Sequence, residues 1–304
     1  MNSVSFTMNT CNADAPFLEE TLRHMVPALN YPFSEKLIAY DPGNQEGKYS
    51  KRIQGSQAEI ERILERLLND GVIDRVDIIP WGEEDQCRIL HKYFGREDID
   101  IKDFSGAPIY QYLYALDKCT GNYIFHSDSD MLFYREGEAS WIQEGIDLLH
   151  KEATAIVTTP RGGPPQAKNW REWLTGKSFE KPPVNPWRPV TFTSTRYFLL
   201  DAMKFKQCLP LEQEKQSEPL ENSLTYTFKN KGYERWSLIN YQYWAIHPWS
   251  HDENYVRHLS NLIWAVENNI YPFRRSGYQW DMRTDGKLIK QWLRVLRANK
   301  RKLN

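Results

Sequence analysis

The stretch Gly121-Asn122-Tyr123-Ile124-Phe125-His126-Ser127-Asp128-Ser129-Asp130-Met131-Leu132-Phe133 combines an apolar run with two closely spaced carboxylates. The run from Tyr123 to Phe125 predicts a short buried strand, and Asp128 and Asp130 follow it at its carboxyl end. Ligands of open α/β sheets bind at the carboxyl ends of the strands. Two neighbouring carboxylates repel each other unless a cation or hydrogen-bond donors lie between them. Mg²⁺ or Mn²⁺, bound together with a phosphate-bearing ligand, would meet that need.

Spacing alone does not single out this pair, because the chain contains a second Asp-x-Asp at Asp98-Ile99-Asp100. The second pair lies in a charged segment, from Arg96 to Asp103, and predicts a solvated loop. Only Asp128 and Asp130 directly follow a predicted strand. Their position in the chain therefore makes them the candidates for binding a metal and a phosphate.

Composition limits the functions that the chain can have. Its 304 residues suffice for one large domain or two small ones. A hydrophobic fraction of 40% and a charged fraction of 26% are typical of a soluble globular protein, and a net charge of −1 argues against a nucleic-acid partner. The four cysteines lack CxxC spacing, so we expect reduced thiols and a cytoplasmic location. The sequence predicts neither a signal peptide nor a membrane span.

Predicted strands and helices alternate along most of the chain. Strands are predicted at 3–8, 36–40, 75–80, the opening stretch, 153–159, 190–200 and 241–246. Helices are predicted at 16–29, 57–69, 107–119, 139–151 and 220–231, and residues 81–105 give no clear prediction. This alternation predicts an α/β fold, with a mostly parallel, Rossmann-like sheet and helices on both faces. Neither GxGxxG nor GxxxxGK follows the first strand, which argues against a dinucleotide site and a P-loop.

The segment after residue 286 is helical by its apolar period and strongly basic. It carries seven Lys and Arg residues and no acidic residue after Asp285. Two interpretations stay open: peripheral contact with an anionic membrane, or a helix packed on the protein with a solvated basic face. We expect a main domain at 1–250 and a C-terminal helical extension at 251–304.

Several motifs in order resemble those of one enzyme family. They are Thr10-Cys11-Asn12, the helix start Pro16-Phe17-Leu18-Glu19-Glu20, Asp41 after the second strand, and Thr120-Gly121-Asn122-Tyr123-Ile124 ahead of Asp128-Ser129-Asp130. Across roughly residues 3–250, the chain resembles the GT-A glycosyltransferases and is most similar to the family 2 enzymes. The resemblance implies the GT-A fold.

The resemblance also implies residues for the donor and the metal. Asp130 would be the direct ligand of Mn²⁺ or Mg²⁺, and Asp128 would contact the ribose or a metal-bound water. Thr10, Asn12 and Asp41 would line the nucleotide pocket. A further metal ligand would come from a C-terminal histidine, for which His247 is the candidate and His251 and His126 are the alternatives.

The resemblance also implies the general base. In the family, an acidic pair begins a helix, and a Lys-Gly sequence twelve residues later ends it. Here Lys231-Gly232 supplies the stop, and Leu220 and Glu221 occupy the two positions. Glu221 would thus be the general base of an inverting transfer. The acid before it is absent, which leaves Glu218 as an alternative.

The implied activity is metal-dependent transfer of a sugar from a nucleotide-diphosphate sugar to a hydroxyl of a carbohydrate or glycoconjugate acceptor. Arg274 and Arg275 would contact the diphosphate, and the tryptophan-containing loop 160–189 would shape the acceptor site. Two other functions stay open. One is a sugar-1-phosphate nucleotidyltransferase, although the turn from Thr10 to Asp14 lacks the glycines and basic residues of that class. The other is a non-catalytic carbohydrate-binding homologue.

Overall fold

The computed structural model describes residues 3–43, 55–165, 167–175, 183–272 and 281–300. The strands are β1 (Val4–Cys11), β2 (Glu35–Asp41), β3 (Arg75–Ile78), β4 (Tyr123–Ser127), β5 (Leu132–Arg135), β6 (Ala155–Gly162), β7 (Trp187–Val190), β8 (Tyr197–Asp201), β9 (Glu234–Leu238), β10 (Tyr243–Pro248) and β11 (Asp281–Met282). The helices are α1 (Leu18–Leu29), α2 (Gln57–Asn69), α3 (Glu83–Phe94), α4 (Tyr110–Lys118), α5 (Trp141–Lys151), α6 (Trp170–Thr175), α7 (Ala202–Cys208), α8 (Leu220–Asn230), α9 (Glu253–Glu267) and α10 (Gly286–Lys300).

Four parallel strands form the half of the sheet that positions the candidate site. They lie in the order β4, β1, β2 and β3. All five residues of β4 are buried, as its apolar run predicts. At the carboxyl edge, Cys11 of β1 pairs with Asp41 of β2. Parallel pairing therefore brings the polar residues that follow each strand to one edge of the sheet.

The other half of the sheet mixes strand directions. β8 runs antiparallel to both β4 and β6, whereas β6 pairs in parallel with β9 and β10. Helices cover both faces. One apolar cluster holds residues of α1, α2 and α5, including Leu22, Ile60 and Trp141. The other holds residues of α3, α4, α7 and α8, including Leu90, Leu113, Phe205 and Leu224. The predicted fold class is confirmed.

Four helices escaped the sequence prediction: α3, α6, α7 and α9. α3 lies in the polar segment 81–105, where the apolar residues Ile89, Leu90, Tyr93 and Phe94 form a narrow buried face among charged residues. α9 begins directly after Asp252, whose side chain caps the helix by accepting a hydrogen bond from the Tyr255 backbone N–H at 2.8 Å. The predicted strand at 190–200 is also too long, because regular pairing with β4 begins only at Tyr197.

The C-terminal helix α10 packs against the rest of the protein. Its apolar residues Ile289, Trp292 and Leu296 are buried in a third cluster with Phe17 and with residues of β5, β10 and α9. The apolar face that would enter a membrane surface is thus covered by protein, which favours the packed-helix interpretation. Among the described residues, no helix combines the length and apolar character that crossing a membrane requires. This cluster draws residues from both sides of position 250, where we placed the domain boundary, and that division stays a prediction.

The contribution of α10 to the stability of the protein can be measured through Trp292, which is fully buried. We expect Trp292→Ala to lower the free energy of unfolding by about 3–5 kcal/mol, because it removes a large core side chain. Urea denaturation followed by circular dichroism measures the loss. Trp170→Ala is the control, since Trp170 is 69% exposed, and should change stability by less than about 0.5 kcal/mol. Equal stability of the two variants would show that α10 adds nothing to the core.

Candidate active site

Two clefts open at the carboxyl edge of the parallel strands, and one segment of chain divides them. The first includes Asp128 and Asp130 among its wall residues. The second includes the next residue of that segment, Met131, in its wall. A ligand in one cleft would therefore lie next to a ligand in the other.

Asp128 is held from three directions. Its Oδ1 accepts a hydrogen bond from the Tyr112 hydroxyl of α4. The same oxygen lies 3.6 Å from Nε2 of His126, a fully buried ring. Its backbone N–H donates to the carbonyl oxygen of Arg196 at 2.7 Å. The carboxylate is therefore fixed in the wall of the first cleft.

Asp130 meets His251 rather than His247. Its Oδ2 lies 2.8 Å from Nε2 of His251, and both side chains are largely buried. The His251 ring stacks on Phe17, the residue before α1, with ring centroids 4.8 Å apart and contacts Tyr255 of α9 edge-on. Phe17 and the first turn of α9 thus hold this imidazole beside the carboxylate.

The structure places His247 in the second cleft, against a different carboxylate. Its Nε2 lies 2.6 Å from Oδ1 of Asp281, and its Nδ1 lies 2.8 Å from the carbonyl oxygen of Pro248. Although burial acts to raise the pKa of Asp281, contact with His247 and the nearby Arg196 and Arg283 hold it below its usual range. His247 therefore contacts Asp281 and the Pro248 carbonyl, whereas His251 is the histidine in contact with Asp130.

Asp130 and His251 together could hold one divalent cation. Among the described residues, no three His, Cys, Asp or Glu side chains gather as a metal site. The 2.8 Å separation of Asp130 and His251 is close to the roughly 3 Å between adjacent ligands of an octahedral ion with bonds near 2.1 Å. Carboxylate and water oxygens suit Mn²⁺ and Mg²⁺. The pair fits a cation whose other ligands come from a phosphate and water.

Thr10 and Asp41 lie in the wall of the first cleft, whereas Asn12 connects two turns beside it, and a nucleotide-binding role for these residues stays a prediction. Asp41 accepts hydrogen bonds from Trp81 Nε1 at 3.0 Å and from Gln111 Nε2 at 3.3 Å. Asn12 accepts from the Tyr40 hydroxyl at 2.7 Å and donates to the Pro42 carbonyl at 3.2 Å. Asn12 thereby ties the turn after β1 to the turn after β2.

Glu221 lies in the second cleft, in the first turn of α8. Its Oε1 accepts a hydrogen bond from the Thr195 hydroxyl at 2.7 Å. Apolar and polar residues share the wall with it: Met131, Gly162, Phe192, Ser194, Arg196, Tyr197, Ala245, His247 and Asp281. Glu218, in contrast, is buried and accepts from the Glu214 backbone at 2.9 Å and from Ser223 at 3.2 Å. Of these two glutamates, Glu221 is the one whose side chain lines a cleft.

Other residues of the site were missed by the sequence analysis. Gln111 and Tyr112 lie in the first turn of α4, the helix before the carboxylate pair. The polar Gln111 among the apolar residues of this helix could have indicated a residue of the site. Trp81 and Lys102 come from the segment that gave no prediction. The predicted diphosphate contacts Arg274 and Arg275 lie outside the described residues, as does part of the loop 160–189.

No protein-family model matches the chain, and no curated protein matches it by sequence. Solved structures do match. The structure of GalNAc-T7 with UDP, GalNAc and Mn²⁺ aligns with a TM-score of 0.50 over 98% of this chain and 48% of that one, at 12% identity. The chain has the GT-A fold. At this identity, the likeness establishes the GT-A fold and leaves the activity to be argued from the site.

Two further GT-A structures align more loosely. They are S. aureus TarS 1-349, with a TM-score of 0.43 at 12% identity over 99% of this chain and 73% of that one, and the mannosyltransferase PcManGT from Pyrobaculum calidifontis in complex with GDP-Man and Mn²⁺, with a TM-score of 0.39 at 14% identity over 77% and 54%. The chain thus spans about half the length of GalNAc-T7 and of the mannosyltransferase.

Proposed function

We propose that the protein is a glycosyltransferase that moves a sugar from a nucleotide-diphosphate sugar to an acceptor hydroxyl. The observation that carries the proposal is the position of Asp128 and Asp130 at the carboxyl end of β4, in one cleft with Thr10 and Asp41. All four side chains line this cleft, because each lies at or just beyond the carboxyl end of a buried strand. A GT-A sheet with carboxylates at that edge suits a ligand with a nucleoside, a diphosphate and a sugar.

The metal in this proposal is Mn²⁺ or Mg²⁺, held by Asp130 and His251, and its chemistry is to neutralise the charge that develops on the leaving diphosphate. His247 was the first choice from the sequence, and the contact between His251 and Asp130 supports His251 instead. Asp128, fixed by Tyr112, is left to contact the ribose or a metal-bound water. The nucleoside lies toward Asp41 and Thr10.

Glu221 acts as the general base in the proposed reaction. It faces the second cleft, where an acceptor hydroxyl would lie next to a sugar bound across the wall at Asp130 and Met131. A carboxylate in hydrogen-bond reach of that hydroxyl takes its proton as the new bond forms. Attack from the face opposite the diphosphate inverts the anomeric configuration.

The acceptor in this proposal is a carbohydrate or glycoconjugate in the second cleft. The wall there combines the aromatic side chains Phe192 and Tyr197 with the polar groups Arg196, Asp281 and Glu221. Aromatic faces pack against sugar rings, and polar groups bind their hydroxyls. The four free cysteines are compatible with a reaction in the cytoplasm.

The two other functions make different use of the same site. A nucleotidyltransferase needs cationic or glycine-rich backbone at the turn after β1, yet this turn places Asp14 there, with its carboxylate accepting from Thr10 at 3.1 Å and from the Cys11 backbone at 3.2 Å. A non-catalytic homologue is favoured only by Leu220, where an acid is expected. Both are therefore alternatives for the experiment to decide.

A panel of UDP- and GDP-sugars with Mn²⁺ tests the proposal through release of free nucleoside diphosphate. We expect release from one donor, faster with an acceptor and abolished by EDTA. Pyrophosphate-dependent formation of nucleoside triphosphate from the same donors would identify a nucleotidyltransferase. Saturable sugar binding without release from any donor would identify a binding protein.

The choice between the two histidines has its own test. His251→Gln should weaken Mn²⁺ binding by about ten- to a hundredfold, because it removes a metal ligand. His247→Gln is the matched comparison, and its Mn²⁺ affinity should stay near that of the wild type. Calorimetric titration of Mn²⁺ in the presence of UDP or GDP measures both. A larger loss in His247→Gln would assign the metal to His247.

A further inference from the structure

The wall of the second cleft continues along β10 past His247. Alternate residues of a strand point to the same face, and Ala245 and His247 of β10 both line the cleft. Trp249 is the next residue of that series. Its backbone N–H donates to the Met282 carbonyl oxygen of β11 at 2.8 Å, so pairing between the two strands extends to Trp249. The indole therefore follows the imidazole on the same face, about 6.5 Å farther along the chain.

β11 extends the same wall by the same step. His247 pairs with Asp281 in parallel register. Asp281 lines the cleft, and Arg283 is the next residue on that side of β11. The Arg283 guanidinium lies over the Trp249 ring, 4.6 Å from the ring centroid. Two adjacent strands thus end in one stacked pair of side chains beside the cleft.

A shared carboxylate holds the backbone of this pair in place. Ser250, which follows Trp249, donates its hydroxyl to Asp252 at 2.8 Å. Thr284, which follows Arg283, is buried and donates to the same carboxylate at 3.2 Å. Both strand ends are therefore anchored at one point. An indole fixed in this way loses little conformational entropy when a ligand packs on it.

The fixed indole is nevertheless open to solvent. Trp249 is 60% exposed, and the guanidinium occupies one face of the ring, so the opposite face is the open one. Single exposed apolar residues are common on protein surfaces. Trp249 differs from them because its ring is held by a cation and lies in line with a polar cleft. A flat apolar face in that position suits the C–H face of a sugar ring, while nearby polar groups bind the hydroxyls.

We propose that Trp249 and Arg283 form a second sugar subsite, and that the acceptor is therefore an oligosaccharide or glycoconjugate with at least two linked sugars. The sugar that carries the reacting hydroxyl lies in the second cleft with Glu221, and its neighbour stacks on the indole. The proposal rests on the glycosyltransferase function proposed above and defines its acceptor more closely. Neither residue needs to touch the reacting atoms, so the subsite contributes to acceptor binding rather than to the chemical step.

The test compares single sugars with disaccharides as acceptors. The probes are methyl glycosides of glucose, galactose, mannose and N-acetylglucosamine, each as the single sugar and as its α- and β-linked disaccharides. Nucleoside diphosphate release from the donor that the wild type turns over, with Mn²⁺, gives the acceptor KM. We expect the best disaccharide to have a KM at least about tenfold below that of its single sugar, since stacking on an indole buries additional apolar surface.

Variants of Trp249 assign this difference to the subsite. Trp249→Ala should raise the disaccharide KM about tenfold and leave the single-sugar KM near wild type, because only the second sugar loses its contact. Trp249→Phe keeps a flat ring and should recover most of the loss. Met203→Ala is the control, because Met203 is 63% exposed on α7, and should match the wild type. UDP or GDP affinity with Mn²⁺ should stay unchanged in all three, which shows that His251 is undisturbed.

Several outcomes would overturn the subsite and leave the proposed donor site standing. They are equal KM values for single sugars and disaccharides in the wild type, an equal rise for both in Trp249→Ala, no recovery in Trp249→Phe, a loss of nucleotide affinity in Trp249→Ala, and donor turnover that none of the glycosides accelerates. Wild-type protein inactive with every donor would instead overturn the proposed function and the subsite with it.

Discussion

Replacing Asp130 with asparagine is expected to weaken Mn²⁺-dependent donor binding by at least about a hundredfold, since even the outer partners of metal ligands cost 10–100-fold when lost. Asparagine keeps the size of the side chain but removes the charge that attracts the cation. Calorimetric titration of UDP or GDP with and without Mn²⁺ measures the effect.

The chain offers a matched control for this variant. Asp98 belongs to the other Asp-x-Asp, its side chain is 73% exposed, and it pairs with Arg96 at 2.6 Å. Asp98→Asn removes the same charge at a distance from the cleft and should leave nucleotide affinity and its Mn²⁺ dependence unchanged. Equal behaviour of the two variants would disprove a metal at Asp130. Matching circular dichroism spectra establish that both are folded.

Glu221→Gln is the second change with a large expected effect. Glutamine fills the same space in the first turn of α8 and can still contact Thr195, but it cannot take a proton. We expect kcat to fall by roughly a hundred- to ten-thousandfold, with donor affinity close to wild type. Initial rates of nucleoside diphosphate release at saturating donor measure the loss. Turnover near the wild-type rate would move the base to another residue.

Glu218→Gln is the comparison, because the sequence alone left Glu218 as an alternative base. Its carboxylate is 5% exposed and accepts from the Glu214 backbone at 2.9 Å. Loss of this charge should therefore lower the free energy of unfolding, whereas kcat per folded molecule should change little. Urea denaturation and single-turnover kinetics on the same sample separate the two effects. A turnover defect in Glu218→Gln larger than in Glu221→Gln would reverse the assignment.

The sequence predicted what is encoded locally. The apolar run from Tyr123 to Phe125 lies within β4, which ends at Ser127, so the position of Asp128 and Asp130 on the sheet could be inferred from neighbouring residues alone. Alternating strands and helices then determined the fold class. Both predictions depend on patterns shorter than about twenty residues, and a single sequence displays such patterns directly.

The contacts of Asp130 and Asp41 could not be predicted from local sequence patterns. His247 and His251 lie four positions apart, and which of them reaches Asp130 depends on where β10 ends and how Asp252 begins α9. The contacts of Asp41 with Trp81 and Gln111 span 40 and 70 positions. Such pairs form only after the sheet and its helices have assembled, and no local period records them.

The burial of Trp292 in α10 also bears on how proteolysis of this protein should be understood. Trp292 shares an apolar cluster with Phe17 and Tyr255, and those two rings hold the His251 imidazole beside Asp130. A protease that trims the chain ahead of α10 would thereby loosen a histidine far away in sequence. Loss of activity after such trimming would be expected from displacement of His251, the proposed metal ligand, with no need for a membrane or a partner.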